Sequence, residues 1–191
     1  GFQPSKLLIV FLLPIIFKKS SPEVFLPATT GDVPCIIKIT RPLMFFFELS
    51  FEKSISKLKI ISKANSKKNI KGLVILMMQG TSPVVAGKNT SGEDFLKMIG
   101  SENTMNSFEG WKPAGKESIL LSNPNFILVT QRATKNYGSL NSFLKESGIE
   151  MTEAARTQSV FSLDGMSFLG FGPRTINSGL EISNKIYEKF K

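Results

Sequence analysis

Gly72-Leu73-Val74-Ile75-Leu76-Met77-Met78 is an unbroken apolar run, closed by Gln79-Gly80-Thr81-Ser82-Pro83. A short run of this kind, bounded by turn residues, reads as a strand buried on both faces. Two more segments read as strands: Phe126-Ile127-Leu128-Val129-Thr130 behind Asn123-Pro124, and 158–163. Helical patterns fall between them. Thr90-Ser91-Gly92-Glu93-Asp94 offers a helix N-terminus, Phe95, Leu96 and Ile99 make its apolar side, and Gly100 ends it. Residues 116–121 form a short helix, 140–145 a helix ended near Gly148, and 177–190 a closing amphipathic helix with Leu180, Ile182, Ile186 and Tyr187. Strands alternating with helices predict an α/β lobe with a mainly parallel sheet over 71–191.

Upstream of that lobe the pattern is less regular. Over 51–64 the apolar positions Ile55, Leu58, Ile61 and Ala64 recur at helical spacing with lysines between them, and 65–69 is a polar break. The break is a candidate lobe boundary, dividing the chain into 1–70 and 71–191. The apolar run at 7–17, flanked by Lys6 and Lys18-Lys19, fits either a signal-peptide core or a buried strand after Pro4-Ser5. No small-residue cleavage pattern follows it, which favours the strand, and it is too short for a membrane span. A short helix is expected at 23–27 and a second apolar run at 33–39. Phe45-Phe46-Phe47 is either core or a patch left open by a missing partner segment. The open-patch reading predicts association or poor solubility, and a monodisperse monomer in sizing chromatography would count against it.

Composition narrows the chemistry. The chain carries a formal charge of +9 with a pI near 9.7, yet its lysines are dispersed along helix faces and at the chain ends. Solvated lysines explain that spread better than a nucleic-acid surface does. Ligand carboxylates or an anionic membrane would suit the same charge. Cys35 is the single cysteine, which excludes an intrachain disulfide, and its apolar neighbours fit an inert buried thiol. Histidine is absent, removing the usual general base, the Ser-His-Asp triad and the commonest metal ligand. Gly72 and Gly80 are too isolated for a phosphate or dinucleotide loop. Enzyme chemistry would then have to rest on carboxylates or lysines, and no suitably spaced pair stands out.

Three segments occur in the order seen in haemin-binding periplasmic proteins, the substrate-binding subunits of bacterial ABC importers. They are Pro83-Val84-Val85-Ala86-Gly87-Lys88-Asn89-Thr90, Phe108-Glu109-Gly110-Trp111-Lys112-Pro113 and Leu169-Gly170-Phe171-Gly172-Pro173-Arg174-Thr175. Ser122-Asn123-Pro124-Asn125 before the strand at 126 and Gly138-Ser139-Leu140 through Gly148-Ile149 resemble the units between them. In the first half only Pro22-Glu23-Val24, Gly31-Asp32-Val33-Pro34 and the helix at 56–65 resemble the family. The resemblance implies a periplasmic-binding-protein-like fold, two α/β lobes with mainly parallel sheets joined by a helix. It also implies that the N-lobe is incomplete here, with its first strand-helix unit, an axial tyrosine and a membrane anchor upstream of Gly1. Neither Tyr137 nor Tyr187 matches that tyrosine.

Haem is a flat apolar disc with two carboxylates and a Lewis-acidic iron, so its site needs apolar walls, cations and an axial ligand. The resemblance implies that Arg174 faces the ligand cleft and favours the anionic form of a tyrosine ligand. The alternative is an arginine capping loop carbonyls. Gly170 and Gly172 would allow close backbone approach, although turn geometry also explains them. Met78, beside Met77 and Gln79, is a candidate sulfur ligand or simply core. Lys88 meets a propionate or is solvated. Trp111, with Phe108, stacks on the porphyrin or serves as a buried hinge. Glu117 would dock on permease arginines, as a first-turn carboxylate also stabilised by the helix dipole. Competing readings are a corrinoid or ferric-siderophore receptor of the same fold, a small non-haem α/β protein and a nucleic-acid-binding domain. The expected location is periplasmic or extracytoplasmic and membrane-associated.

Overall fold

A computed structural model describes residues 41–191, with side chains from Leu49 onward. The expectations for 7–17, 23–27, 33–39 and Cys35 lie outside the described residues, as do the side chains of Phe45, Phe46 and Phe47. The chain divides into two compact units, Gly1–Phe51 and Glu52–Lys191. Helix α1 (Arg41–Ser66) runs through that division, and its downstream half packs with the sheet-bearing unit: Leu58 is buried and Asn65 fully so.

The run at 72–78 forms β1 (Lys71–Gln79), whose inner residues Leu73, Val74 and Ile75 are inaccessible to solvent. It is followed by β2 (Ser82–Ala86), α2 (Ser91–Met98), β3 (Glu102–Asn103), β4 (Trp111–Pro113), α3 (Lys116–Ser122) and β5 (Phe126–Thr130). Next come α4 (Gln131–Thr134), a 3-10 turn (Lys135–Tyr137), α5 (Leu140–Ser147), a second 3-10 turn (Ile149–Met151) and α6 (Glu153–Arg156). The chain closes with β6 (Val160–Leu163), α7 (Gly165–Leu169) and α8 (Pro173–Lys189).

The sheet order is β4-β2-β1-β5-β6, with β3 also paired to β1. β1, β5 and β6 are parallel, as the sequence reading predicts, and the two-residue β3, which it does not anticipate, joins β1 in parallel. β2 and β4 add an antiparallel flank that the sequence reading does not anticipate. Gly80, at φ +60°, lets the chain reverse in a tight hairpin, so residues read as the end of a strand begin the next one. Pro83 fits inside β2 because its missing N–H is not needed there; its carbonyl accepts the Ala114 N–H at 2.9 Å.

Both faces of the sheet are covered. Leu73, Ile75, Val85, Ile127 and Val129 join Ile119, Phe143, Ile149 and Ala154 in one core cluster, on the side of α3, α5 and α6. Residues of opposite parity turn to α2: a Cβ on Gly72 would lie 2.7 Å from Leu96, and one on Gly92 3.3 Å from Val74. Each fully buried Leu, Ile or Phe contributes roughly 1.5–3 kcal/mol. Local capping adds about 1 kcal/mol per helix: Thr90, Thr130, Ser139, Thr152 and Asp164 each accept a backbone N–H of the helix they open. The helix expected from 177 begins at Pro173, because proline suits the first helical position and follows Gly172 directly.

Candidate ligand-binding site

β1, β5 and β6 run in one direction, so their carboxyl ends share an edge of the sheet. Loops leaving such an edge are where α/β folds hold ligands. Thr130, the last residue of β5 and fully buried, organises this edge. Its hydroxyl donates to the Leu76 carbonyl of β1 and accepts the Ala133 N–H at 3.2 Å. One side chain therefore ties β1 to β5 and starts α4. Gly165, at the β6 end, packs close by, since a Cβ there would sit 3.3 Å from the Thr130 methyl.

An open concavity of about 490 Å³ lies at this edge, lined by Met77, Met78, Gly80, Arg132, Ala133, Lys135, Asn136 and Tyr137. Its walls differ in chemistry. β1 and its turn supply two half-buried thioethers; α4 and the 3-10 turn supply two cations, an amide and a phenol. The Tyr137 ring is fixed edge-on to Phe143, centroids 5.4 Å apart, which anchors that wall to the core. No carboxylate lines the concavity, and neither Arg132 nor Lys135 forms an ion pair among the described residues.

Of the residues singled out from sequence, Met78 lies in this concavity. Gly172 and Arg174 follow β6 and α7, opening α8, and do not line it. Gly172 is the N-cap and offers no side-chain bond; the exposed Arg174 guanidinium makes no hydrogen bond or ion pair among the described residues. The turn before it holds Phe171 at φ +48°, a conformation that costs a non-glycine residue on the order of 1 kcal/mol.

Lys88 and Trp111 sit elsewhere. β2 runs antiparallel to β1 and carries the chain back from the strand-end edge, so Ala86 pairs with Trp111 beyond the Val85–Ile75 pair. The Lys88 backbone continues the flank, donating to the Phe108 carbonyl at 2.8 Å and accepting from the Gly110 N–H at 2.9 Å. The Trp111 ring lies on Gly92, 2.9 Å from where a Cβ would be, and Phe108 covers Gly87 in the same manner. Their glycines are required by these rings. Glu117 is exposed in the first turn of α3, whose Ile119 anchors it to the core.

Arg132, Lys135 and Asn136 escaped the sequence reading, and Tyr137 entered it only as a residue that does not match the family's axial tyrosine. Their only local signal is Thr130 as an N-cap directly after a buried strand, with two cations three apart behind it. Among the described residues no group of three or more His, Cys, Asp or Glu side chains is gathered to hold a metal ion. No described helix is long and apolar enough to cross a membrane.

Residues 50–166 match the sequence model of a family described as periplasmic binding protein. Among solved structures, the periplasmic heme-binding protein BhuT in complex with two hemes is 23% identical, over 79% of this chain and 57% of its own, with a TM-score of 0.63. RhuT from Roseiflexus sp. RS-1 in apo form is 21% identical, over 78% of this chain and 57% of its own, at 0.64. A periplasmic heme-binding protein from Pseudomonas aeruginosa is 25% identical, over 77% and 54%, at 0.63. The chain thus spans a little over half the length of these proteins. No curated protein matches it. A family match over more than half of the sequence, on a sheet of the same fold, places this chain in the periplasmic binding protein family, whose members bind substrates for transport and are not enzymes.

Proposed function

We propose that this chain captures haem outside the cytoplasm and delivers it to the permease of an ABC importer, the lobe from Glu52 onward forming one wall of the ligand site. The concavity at the ends of β1 and β5 carries the reading: two thioethers face a cationic turn across a space open to a flat ligand. Thioether sulfur is soft and polarisable, suited to a porphyrin face or its iron, and cations suit propionates. The proteins of similar fold cited above are named as heme-binding. Iron arrives inside the ligand, so a chain without histidine needs no metal site of its own.

In this reading Met78 supplies sulfur to the disc or its iron, and Gly172 keeps the backbone low at the start of α8. Arg174, an exposed cation in the first turn of α8 with no partner among the described residues, favours an anionic oxygen ligand on ferric iron. Lys88 and Trp111 act further along the sheet, Lys88 as a surface cation and Trp111 as an anchor on α2. Glu117 docks on cations of the permease.

Titration with haemin, followed by absorption, tests this. A saturable Soret band is expected, with Arg174→Ala and Met78→Ala each weakening binding about 10- to 100-fold, the loss usual for a residue supporting a metal ligand. Saturable binding of a cobalamin or a ferric siderophore, with no haemin binding, would overturn the reading in favour of those ligands.

A further inference from the structure

Arg132 and Lys135 are three residues apart on one continuous helical turn, α4 running into Lys135–Tyr137. That spacing places their Cβ atoms about 5–6 Å apart on one face. Both are exposed, both line the concavity, and neither has a carboxylate partner among the described residues. Like charges at this spacing repel, so the pair disfavours the free fold unless something anionic neutralises it. The turn is also rigidly held: Thr130 fixes its start to β1 and β5, and Tyr137 fixes its end on Phe143. Two cations side by side, on a rigid wall facing thioethers, match a planar ligand with two carboxylates on one edge.

We propose that Arg132 and Lys135 are the carboxylate-reading pair of this lobe, selecting an iron macrocycle with two adjacent propionates over one without charge. This rests on the haem reading. It adds the residues that decide which macrocycle is taken. Arg132 engages one carboxylate in a fork of N–H donors, and Lys135 meets the other as a point charge.

The test compares haemin with its dimethyl ester, which keeps ring and iron but loses both charges. Both ligands are titrated into the full chain at low salt. The wild type is expected to prefer haemin by tenfold or more. The double variant Arg132→Gln/Lys135→Gln is expected to bring the two ligands within about threefold, by weakening haemin alone. Its thermal midpoint is expected to hold or rise, because a repelling pair is gone. The control Lys57→Gln/Lys59→Gln on α1 removes the same net charge and should leave the preference intact. A double variant that keeps the full preference, or loses both ligands equally, overturns the assignment while the haem reading stands. A wild type that binds neither ligand overturns both.

Discussion

Thr130 shows how one hydroxyl can build a site from distant chain segments. It bonds Leu76, 54 positions away, and caps the turn that carries Arg132 and Lys135. Thr130→Val keeps the shape and removes both bonds, leaving buried groups unsatisfied at a cost of about 1–3 kcal/mol. Urea unfolding should read that loss, and haemin affinity should fall with it, because the cationic turn is released. Gly100 is a purely structural counterpart. Its φ of +80° and a Cβ position only 2.0 Å from the Ser62 carbonyl oxygen leave no room for a side chain. Gly100→Ala should therefore cost about 3 kcal/mol or more in the same experiment. Asp94, in the first turn of α2, has its pKa raised by burial; Lys97 opposes the shift and Glu93 adds to it. A folded pKa above the unfolded one means that this group's contribution is fully present below the unfolded value, about 3.9, and is lost as pH rises through the folded one. Asp94→Asn should then stabilise the fold at neutral pH relative to wild type, and that advantage should vanish in acid. An advantage that instead grew on acidification would contradict the burial account.

At the scale of elements, what was legible in the sequence is what local pattern controls. α2 begins at Thr90 and α5 ends at Gly148 because an N-cap hydroxyl and a left-handed glycine act within a few residues. β1 and β5 were readable because strands buried on both faces are apolar throughout; β6, an edge strand with Ser162 exposed, shows the pattern only in part. β2 and β4 were not, since strands of five and three residues containing Pro83 and Pro113 have no period to detect and exist through pairing. The same limit hid most of the candidate site. Met78 stood at a visible strand end, whereas Arg132, Lys135 and Tyr137 lie in a turn that only tertiary contacts place opposite it. The β1–β2 hairpin depends on Gly80, which sits in the left-handed region with open space around it. Backbone conformation alone decides substitutions there. Gly80→Asn should be tolerated, and Gly80→Val should cost about 1 kcal/mol more in denaturant unfolding, because β-branched side chains resist that region.

For the whole molecule, the dispersed lysines of a +9 chain explain little by themselves; the unpaired cations of one turn explain more, because a concavity lies beside them. The family places the chain among substrate-binding proteins, and the sheet orientation says which edge should carry the ligand. Two of the residues that drew attention in the sequence, Lys88 and Trp111, follow a flank that runs back from that edge, so they serve as a contrast in the decisive experiment. Ferric haem is paramagnetic and broadens the nuclear resonances of groups near it. Amide spectra of the isotopically labelled chain, recorded with and without haemin, should lose intensity at Met77, Met78, Gly80 and 131–137, and at the start of α8 around Arg174, while Lys88 and Trp111 stay sharp. Broadening centred on Lys88 and Trp111, with the β1 and β5 ends untouched, would contradict the account.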